Sequence, residues 1–181
     1  TILEQTEKLD FLIQSLVKLS RMESGIIAVH SEDTTIKQML ESIQQQFNVK
    51  VREKNITLSL CDTDLHVRCD SKWTVEALGN IVDNAIKYTA CGGNVQIKVE
   101  QYSFFVKIDI IDDGIGIEKE EIPKIFGRFY RSLSVADQPG VGIGLFLARE
   151  IIQAQKGYIK VTSKRGKGST FSVFLPIAKK E

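Results

Sequence analysis

The sequence predicts an α+β fold: one mixed, mostly antiparallel sheet covered on one face by helices, preceded by one long bundle helix. Three observations predict it. Apolar residues recur at helical spacing in separated segments, among them 9–19 and 36–47. Strict alternation marks Val95, Ile97 and Val99, and again Val106, Ile108 and Ile110. A glycine-bearing turn, KRGKG, joins two further strand-like segments near the end.

The first helix is predicted over residues 1–24. Leu9, Leu12, Leu16 and Leu19 form a seam with three- and four-residue spacing, widened by Ile13 and Val17. A lone helix cannot bury such a stripe, so this one needs partner helices. SRMESG ends it, with Gly25 as C-cap. The domain boundary is placed there: 1–25 is the bundle helix, and 26–181 is the second domain. A short strand is expected at Ile26–Val29. A helix follows from about Thr35 to Glu53, with Ile36, Leu40, Ile43 and Phe47 on one face. Two short strands come next, near 56–60 and 65–69. Asp70 is set to cap the helix after it. The alternating segments give strands at 94–101 and 104–111. Periodicity disappears from Gly127 to Pro139, and long loops in compact domains are usually functional. A helix is expected at 142–154, then strands at 158–163 and 169–176.

Composition excludes several classes. With 181 residues, 43% hydrophobic and 26% charged, the chain suits one globular domain, or one domain plus an appendage. A net charge of +1 gives no argument for nucleic acid or an anionic membrane. No apolar run is long enough to span a bilayer. Cys61, Cys69 and Cys91 lack CxxC spacing and fit a reducing compartment. A chain opening at Thr1 in mid-helix reads as a piece of something longer.

The chemistry sits in three stretches. The first is NIVDNAIKYT. At about 100° per residue, Glu76, Asn80, Asp83, Asn84, Lys87 and Tyr88 share one arc of the helix. Val75, Leu78, Val82, Ala85 and Ile86 share the opposite arc. A solvated face explains the charged members of the polar arc; it explains two asparagines in register less well. An asparagine carbonyl can ligate Mg²⁺, which takes oxygen ligands and binds through few protein groups plus phosphates. The second stretch is DDGIGI, where Asp112 meets Gly114, Gly116 and Ile117 at a strand end. A carboxylate beside glycines can meet a ligand's polar edge, although an ordinary turn reads the same way. The third stretch is GVGIGL, with Gly140, Val141, Gly142, Ile143, Gly144 and Leu145 at a helix start. Free amide groups there suit an anion. It lacks the preceding strand of a Rossmann unit and the GK[ST] of a P-loop. Between the second and third stretches lies IFGRFYRS, with Tyr130 and Arg131 at the edge of the aperiodic loop.

Taken in order, NIVDNAIKYT, DDGIGI, IFGRFYRS, GVGIGL and GKGSTF resemble the N, G1, F, G2 and G3 boxes of the catalytic, ATP-binding domain of bacterial sensor histidine kinases. The resemblance covers about Thr35 to Ile177, and the leading helix resembles the second helix of a dimerisation and phosphoacceptor hairpin. It implies a two-layer α/β sandwich, the Bergerat-type ATP-binding fold shared with gyrase, Hsp90 and MutL. It implies that Asn84 ligates Mg²⁺ with Asn80 beside it. It puts Lys87 and Tyr88 on the phosphates or sugar, Asp112 on the adenine amino group, and Arg131 near the terminal phosphate. Gly114 and Gly116 would give room, Ile117 and Tyr130 would border the nucleotide, Gly140, Gly142 and Gly144 would wrap the phosphates, and Thr170 would lie near the base. Residues 127–139 would be the ATP lid. Gyrase-type ATPases carry a glutamate base where this chain has Asn80, a departure that favours a kinase over a hydrolase.

The resemblance further implies ATP and Mg²⁺ as cofactors and a response regulator receiver domain as partner. The acceptor-histidine helix would come from the same full-length kinase, a homodimer when intact. The domain would be cytoplasmic, with the full-length protein attached to the inner membrane. His30 and His66 lack the helical context of an acceptor, so the chain is expected to bind ATP without phosphorylating itself. An ATP-binding regulatory module without phosphotransfer is the alternative.

Overall fold

The computed structural model describes residues 2–23, 29–132, 135 and 140–177. Four helices and seven strands are seen among them. Helix α1 spans Ile2–Glu23 and is followed by β1 (Glu32–Thr35), α2 (Ile36–Glu53), β2 (Thr57–Leu60) and β3 (His66–Cys69). Then come α3 (Ser71–Tyr88), β4 (Asn94–Gln101), β5 (Phe105–Asp112), α4 (Gly144–Ala154), β6 (Tyr158–Ser163) and β7 (Ser169–Pro176).

The main sheet runs β2-β4-β5-β7-β6. β2 and β4 are parallel, and every other pair is antiparallel. Helices α2, α3 and α4 cover one face and bury Ile43, Leu78, Ile81, Ile108, Ile110, Ile151 and Val173 between the layers. The helix-free face carries an aromatic stack, Tyr158 on Phe174, with ring centroids 4.4 Å apart.

Each long strand follows its alternation. On β5, Val106, Ile108 and Ile110 face the helices, and Asp112 has the same parity. The strand therefore ends one residue later than the alternation alone suggested, and it carries a carboxylate into the helix-covered layer. Helix α2 ends in a Schellman arrangement: the Ile56 N–H donates to Val51 O at 2.9 Å and Asn55 N–H to Arg52 O at 3.1 Å. Asn55 takes the left-handed conformation, φ 50°, that this motif requires.

Three expectations change. Gly25 and most of the strand expected at Ile26–Val29 lie outside the described residues, and Val29 belongs to no strand. A strand instead forms at Glu32–Thr35, where the polar sequence EDTT gives no alternation signal. It pairs with β3 in a separate two-stranded sheet, Thr34 opposite Val67. So β3 does not join the main sheet, and the single sheet expected is two. On α1, Leu9, Ile13, Leu16 and Val17 are exposed, while Leu12 is half-buried against the core.

Candidate functional site

Helix α3 starts where Asp70 accepts from the Trp73 N–H at 3.1 Å. Its apolar arc packs inward through Leu78, Ile81, Val82, Ala85 and Ile86. Its polar arc lines a cavity: Asn80, Asp83, Asn84, Lys87 and Tyr88 all contribute. Glu76, the first member of that arc, faces a different groove beside Gln46 and Asp70. Opposite α3, the cavity is closed by Gly140 to Leu145 at the start of α4, and by Tyr130 and Arg131. Asp112, Gly116 and Ile117 form its floor together with Ser169 and Phe171.

The floor is the polar anchor. Asp112 is buried, its Oδ1 accepts from the Gly114 N–H at 2.9 Å, and the Ser169 backbone also donates to the carboxylate. Burial pushes its carboxyl up, against those two donors, which pull it down. The Ser169 hydroxyl lies 2.9 Å from that of Ser163, which in turn accepts from the Ile117 N–H at 2.8 Å. The hairpin of β6 and β7 is thereby tied to the turn that follows Asp112.

The other end is cationic. Burial holds the Lys87 ammonium below its ordinary pKa, and the Arg131 guanidinium adds to the effect. Lys87 Nζ stands 4.8 Å over the Tyr88 ring, and burial pushes the Tyr88 phenol up. Arg131 donates to Val135 O at 2.9 Å, and Tyr130 donates to Glu121 at 3.1 Å. Asp83 is held by Lys50 at 2.6 Å.

The Asn80 amide nitrogen is buried and finds no acceptor among the described residues. A phosphate oxygen beside it would supply one. Gly144 permits that approach, since a Cβ there would come 3.2 Å from Asn80 Oδ1. Among the described residues no group of three His, Cys, Asp or Glu side chains could hold a metal. A cation here would need ligand oxygens from a bound polyanion, which fits Mg²⁺ beside amide oxygens and suits few other ions.

Two expected residues stand elsewhere. Thr170 does not line the cavity: on β7 it points to the helix-free face, while its neighbours Ser169 and Phe171 point in. Strand parity gives the reason, and the same parity could have picked out Ser169. Gly114 does not line the cavity either. The room it and Gly116 provide is filled by protein, since a Cβ on Gly114 would sit 2.6 Å from Tyr88 O, and one on Gly116 would strike Lys164 O. Glu121 and Ile125 also line the cavity: Ile125 opens the IFGRFYRS stretch, whereas Glu121 lies outside every motif and no sequence signal marks it. Neither histidine is on a helix. His66 lies on β3, 2.6 Å from Asp33, and the His30 backbone donates to Asp70.

The family model described as histidine kinase-, DNA gyrase B- and HSP90-like ATPase matches residues 69–179. The chain belongs to this family. As such it is a nucleotide-binding ATPase-type domain, and its sheet with helices on one face is the family's fold. It is 34% identical to the sensor histidine kinase WalK of Bacillus subtilis over 95% of its own length and 29% of that protein's. The chain spans between 20% and 36% of the first curated relatives it matches. Among solved structures it resembles the Acinetobacter baumannii histidine kinase AdeS, with TM-score 0.76 and 26% identity, covering 98% of this chain and 82% of that one. The fold is also that of the histidine kinase ThkA in complex with the response regulator protein TrrA, with TM-score 0.71 and 23% identity, over 93% of this chain and 50% of that one. Among the described residues no helix is long and apolar enough to cross a membrane.

Proposed function

We propose that the chain is the ATP-binding kinase domain of a sensor histidine kinase. It holds Mg-ATP and passes the γ-phosphoryl to a histidine outside this chain, and from there to a response regulator receiver domain. The observation that carries this is a single cavity with a buried carboxylate at one end and Asn80, Asn84, Lys87 and Arg131 at the other. An adenine presents an amino donor to such a carboxylate, and a triphosphate presents anionic oxygens to such an end.

Each residue then has a task. Asp112 accepts from the adenine amino group, with Ser169 rather than Thr170 beside it. Ile117 and Tyr130 border the base and sugar. Asn84 holds Mg²⁺, with Asn80 next to it. Lys87, Tyr88 and the amides of Gly140, Gly142 and Gly144 hold the phosphates, and Arg131 meets the terminal one. Mg²⁺ supplies neutralisation of charge on the transferring group. The protein supplies positioning and electrostatics, which is most of what phosphoryl transfer asks for. Nothing on α3 is set to activate water: Glu76 faces another groove, and Asp83 is paired with Lys50. That arrangement supports transfer over hydrolysis.

Residues 1–25 are read as the second helix of a dimerisation hairpin, and 26–181 as the catalytic domain. The exposed apolar seam of α1 supports this division. The resemblance of ThkA, whose structure includes a response regulator, supports the partner. By the same resemblance, the full-length protein would be attached to the inner membrane with this domain in the cytoplasm.

Calorimetric titration with a non-hydrolysable ATP analogue tests the site. Binding is expected to weaken without Mg²⁺ and to fall about ten- to hundredfold in Asp112→Ala, the cost of losing a buried charged acceptor. No binding by the intact chain overturns the assignment.

A further inference from the structure

The last turn of α3 carries Lys87 and Tyr88, yet it has no glycine to terminate it. A helix leaves its last four carbonyls without intrahelical partners, and buried ones must find others. Here each has one. Ala85 O accepts from the Thr89 N–H at 3.1 Å, and Tyr88 O from the Ile115 N–H at 3.2 Å. The two between them, Ile86 O and Lys87 O, both accept from one atom: Lys54 Nζ, at 2.8 and 2.7 Å.

Lys54 comes from a different helix. It is the C-cap of α2, and the Schellman turn through Asn55 and Ile56 fixes its backbone. The Gly92 N–H donates to Lys54 O at 3.2 Å, which ties the same residue to the loop beyond α3. A half-buried ammonium with two carbonyl acceptors is also well placed for the helix dipole, whose negative end lies there. Lys54 itself is not among the residues that line the cavity.

We infer that Lys54 is a positioning residue for the phosphate end of the nucleotide site. It holds the turn from which Lys87 and Tyr88 project, so it acts on a ligand it does not touch. This rests on the nucleotide reading given above. Without Lys54, two carbonyls lose their shared donor, and the final turn is free to fray. The carboxylate at the base end is carried by the central strand β5, paired with β7, and the turn after it meets α3 through the Ile115 N–H on Tyr88 O, a bond that does not involve Lys54. The loss should therefore fall on phosphate binding and spare base binding.

The test compares the wild type with Lys54→Met and Lys54→Arg. Affinities for a non-hydrolysable ATP analogue and for adenosine are measured by competition against a fluorescent nucleotide. Lys54→Met should weaken the analogue at least about fivefold, the low end of coupling between separate sites. Adenosine affinity should change less than about twofold, and Lys54→Arg should restore most of the loss. Equal loss for both ligands would mean a general structural role and overturns the inference. So does an analogue affinity unchanged in Lys54→Met while the wild type binds normally. A wild type that binds neither ligand overturns the nucleotide reading itself. Lys54→Gln, a neutral amide on a shorter stem, gives the same comparison if the Met variant fails to fold.

Discussion

Asp112 shows how far a single residue can be read. Alternation through Val106, Ile108 and Ile110 put its side chain on the helix-covered face, and there it is buried. Burial raises its pKa, so the folded chain holds the proton to higher pH than the unfolded one. Stability should then be fullest below the unfolded carboxyl pKa and fall as pH rises through the folded one. Nucleotide binding should run the other way, because the adenine amino group favours the ionised acceptor: affinity falls as pH drops through the raised pKa. Denaturant melts and calorimetry between about pH 4 and pH 7 check both, and Asp112→Asn should flatten both dependences. A nucleotide affinity that stays level across this range in the wild type would count against the contact. The same parity holds on β7: Thr170 owes its expected role to its place in GKGSTF, whereas the strand turns Ser169 inward. Gly114 teaches a different lesson. Sequence shows that a glycine is there; only the fold shows that it makes room for Tyr88 O. Gly114→Ala should cost both stability and affinity, since the clash presses on Asp112 as well as on α3. Thermal melts beside ligand titrations would detect it, and an unperturbed variant would show that the loop relaxes.

At the scale of elements, periodicity did most of the work where elements are long. α2, α3, β4, β5, β6 and β7 lie within a residue or two of where their patterns put them. β1 was not legible, because four polar residues pair with β3 across more than thirty positions of chain and carry no local signal. The segment around Glu121, ahead of IFGRFYRS, was illegible for a different reason: it folds by short-range turns, with Ile125 N–H bonded to Glu121 O, and shows no face. α3 was the most legible, since its cap, its apolar arc and its polar arc all sit in one stretch. Its two ends make separable predictions. Asp70 caps the far end from the phosphates and also accepts from His30. Asp70→Ala should therefore lower stability by about 1 to 2 kcal/mol, the usual worth of such a cap. Nucleotide affinity should remain within about twofold when measured well below the melting temperature. An affinity loss out of proportion to stability would mean that the whole helix shifts as one rod.

At the scale of the molecule, the unburied seam of α1 and the buried nucleotide cavity imply one arrangement. Leu9, Ile13, Leu16 and Val17 are exposed in a chain whose core elsewhere is closed. A helix with that stripe is stable when neighbouring helices cover it. Neither His30 nor His66 is on such a helix, so on the proposed kinase reading the phosphate acceptor comes with the partner helices. Joining this chain to a hairpin whose first helix carries the acceptor histidine should therefore do two things at once. It should double the sedimenting mass, and it should move label from γ-labelled ATP onto the hairpin as acid-labile phosphate. Leu16→Glu should prevent the first and leave nucleotide affinity intact, because no described residue of α1 lines the cavity. Lys87→Ala and Arg131→Ala should spare the dimer and reduce labelling by about a hundredfold or more, as expected for groups that meet charge on the transferring phosphoryl. A dimer that binds the nucleotide and never labels the histidine would leave a regulatory module in place of a kinase. The two outcomes differ in chemistry while sharing every fold-level feature, so this experiment separates what a fold can host from what its site does.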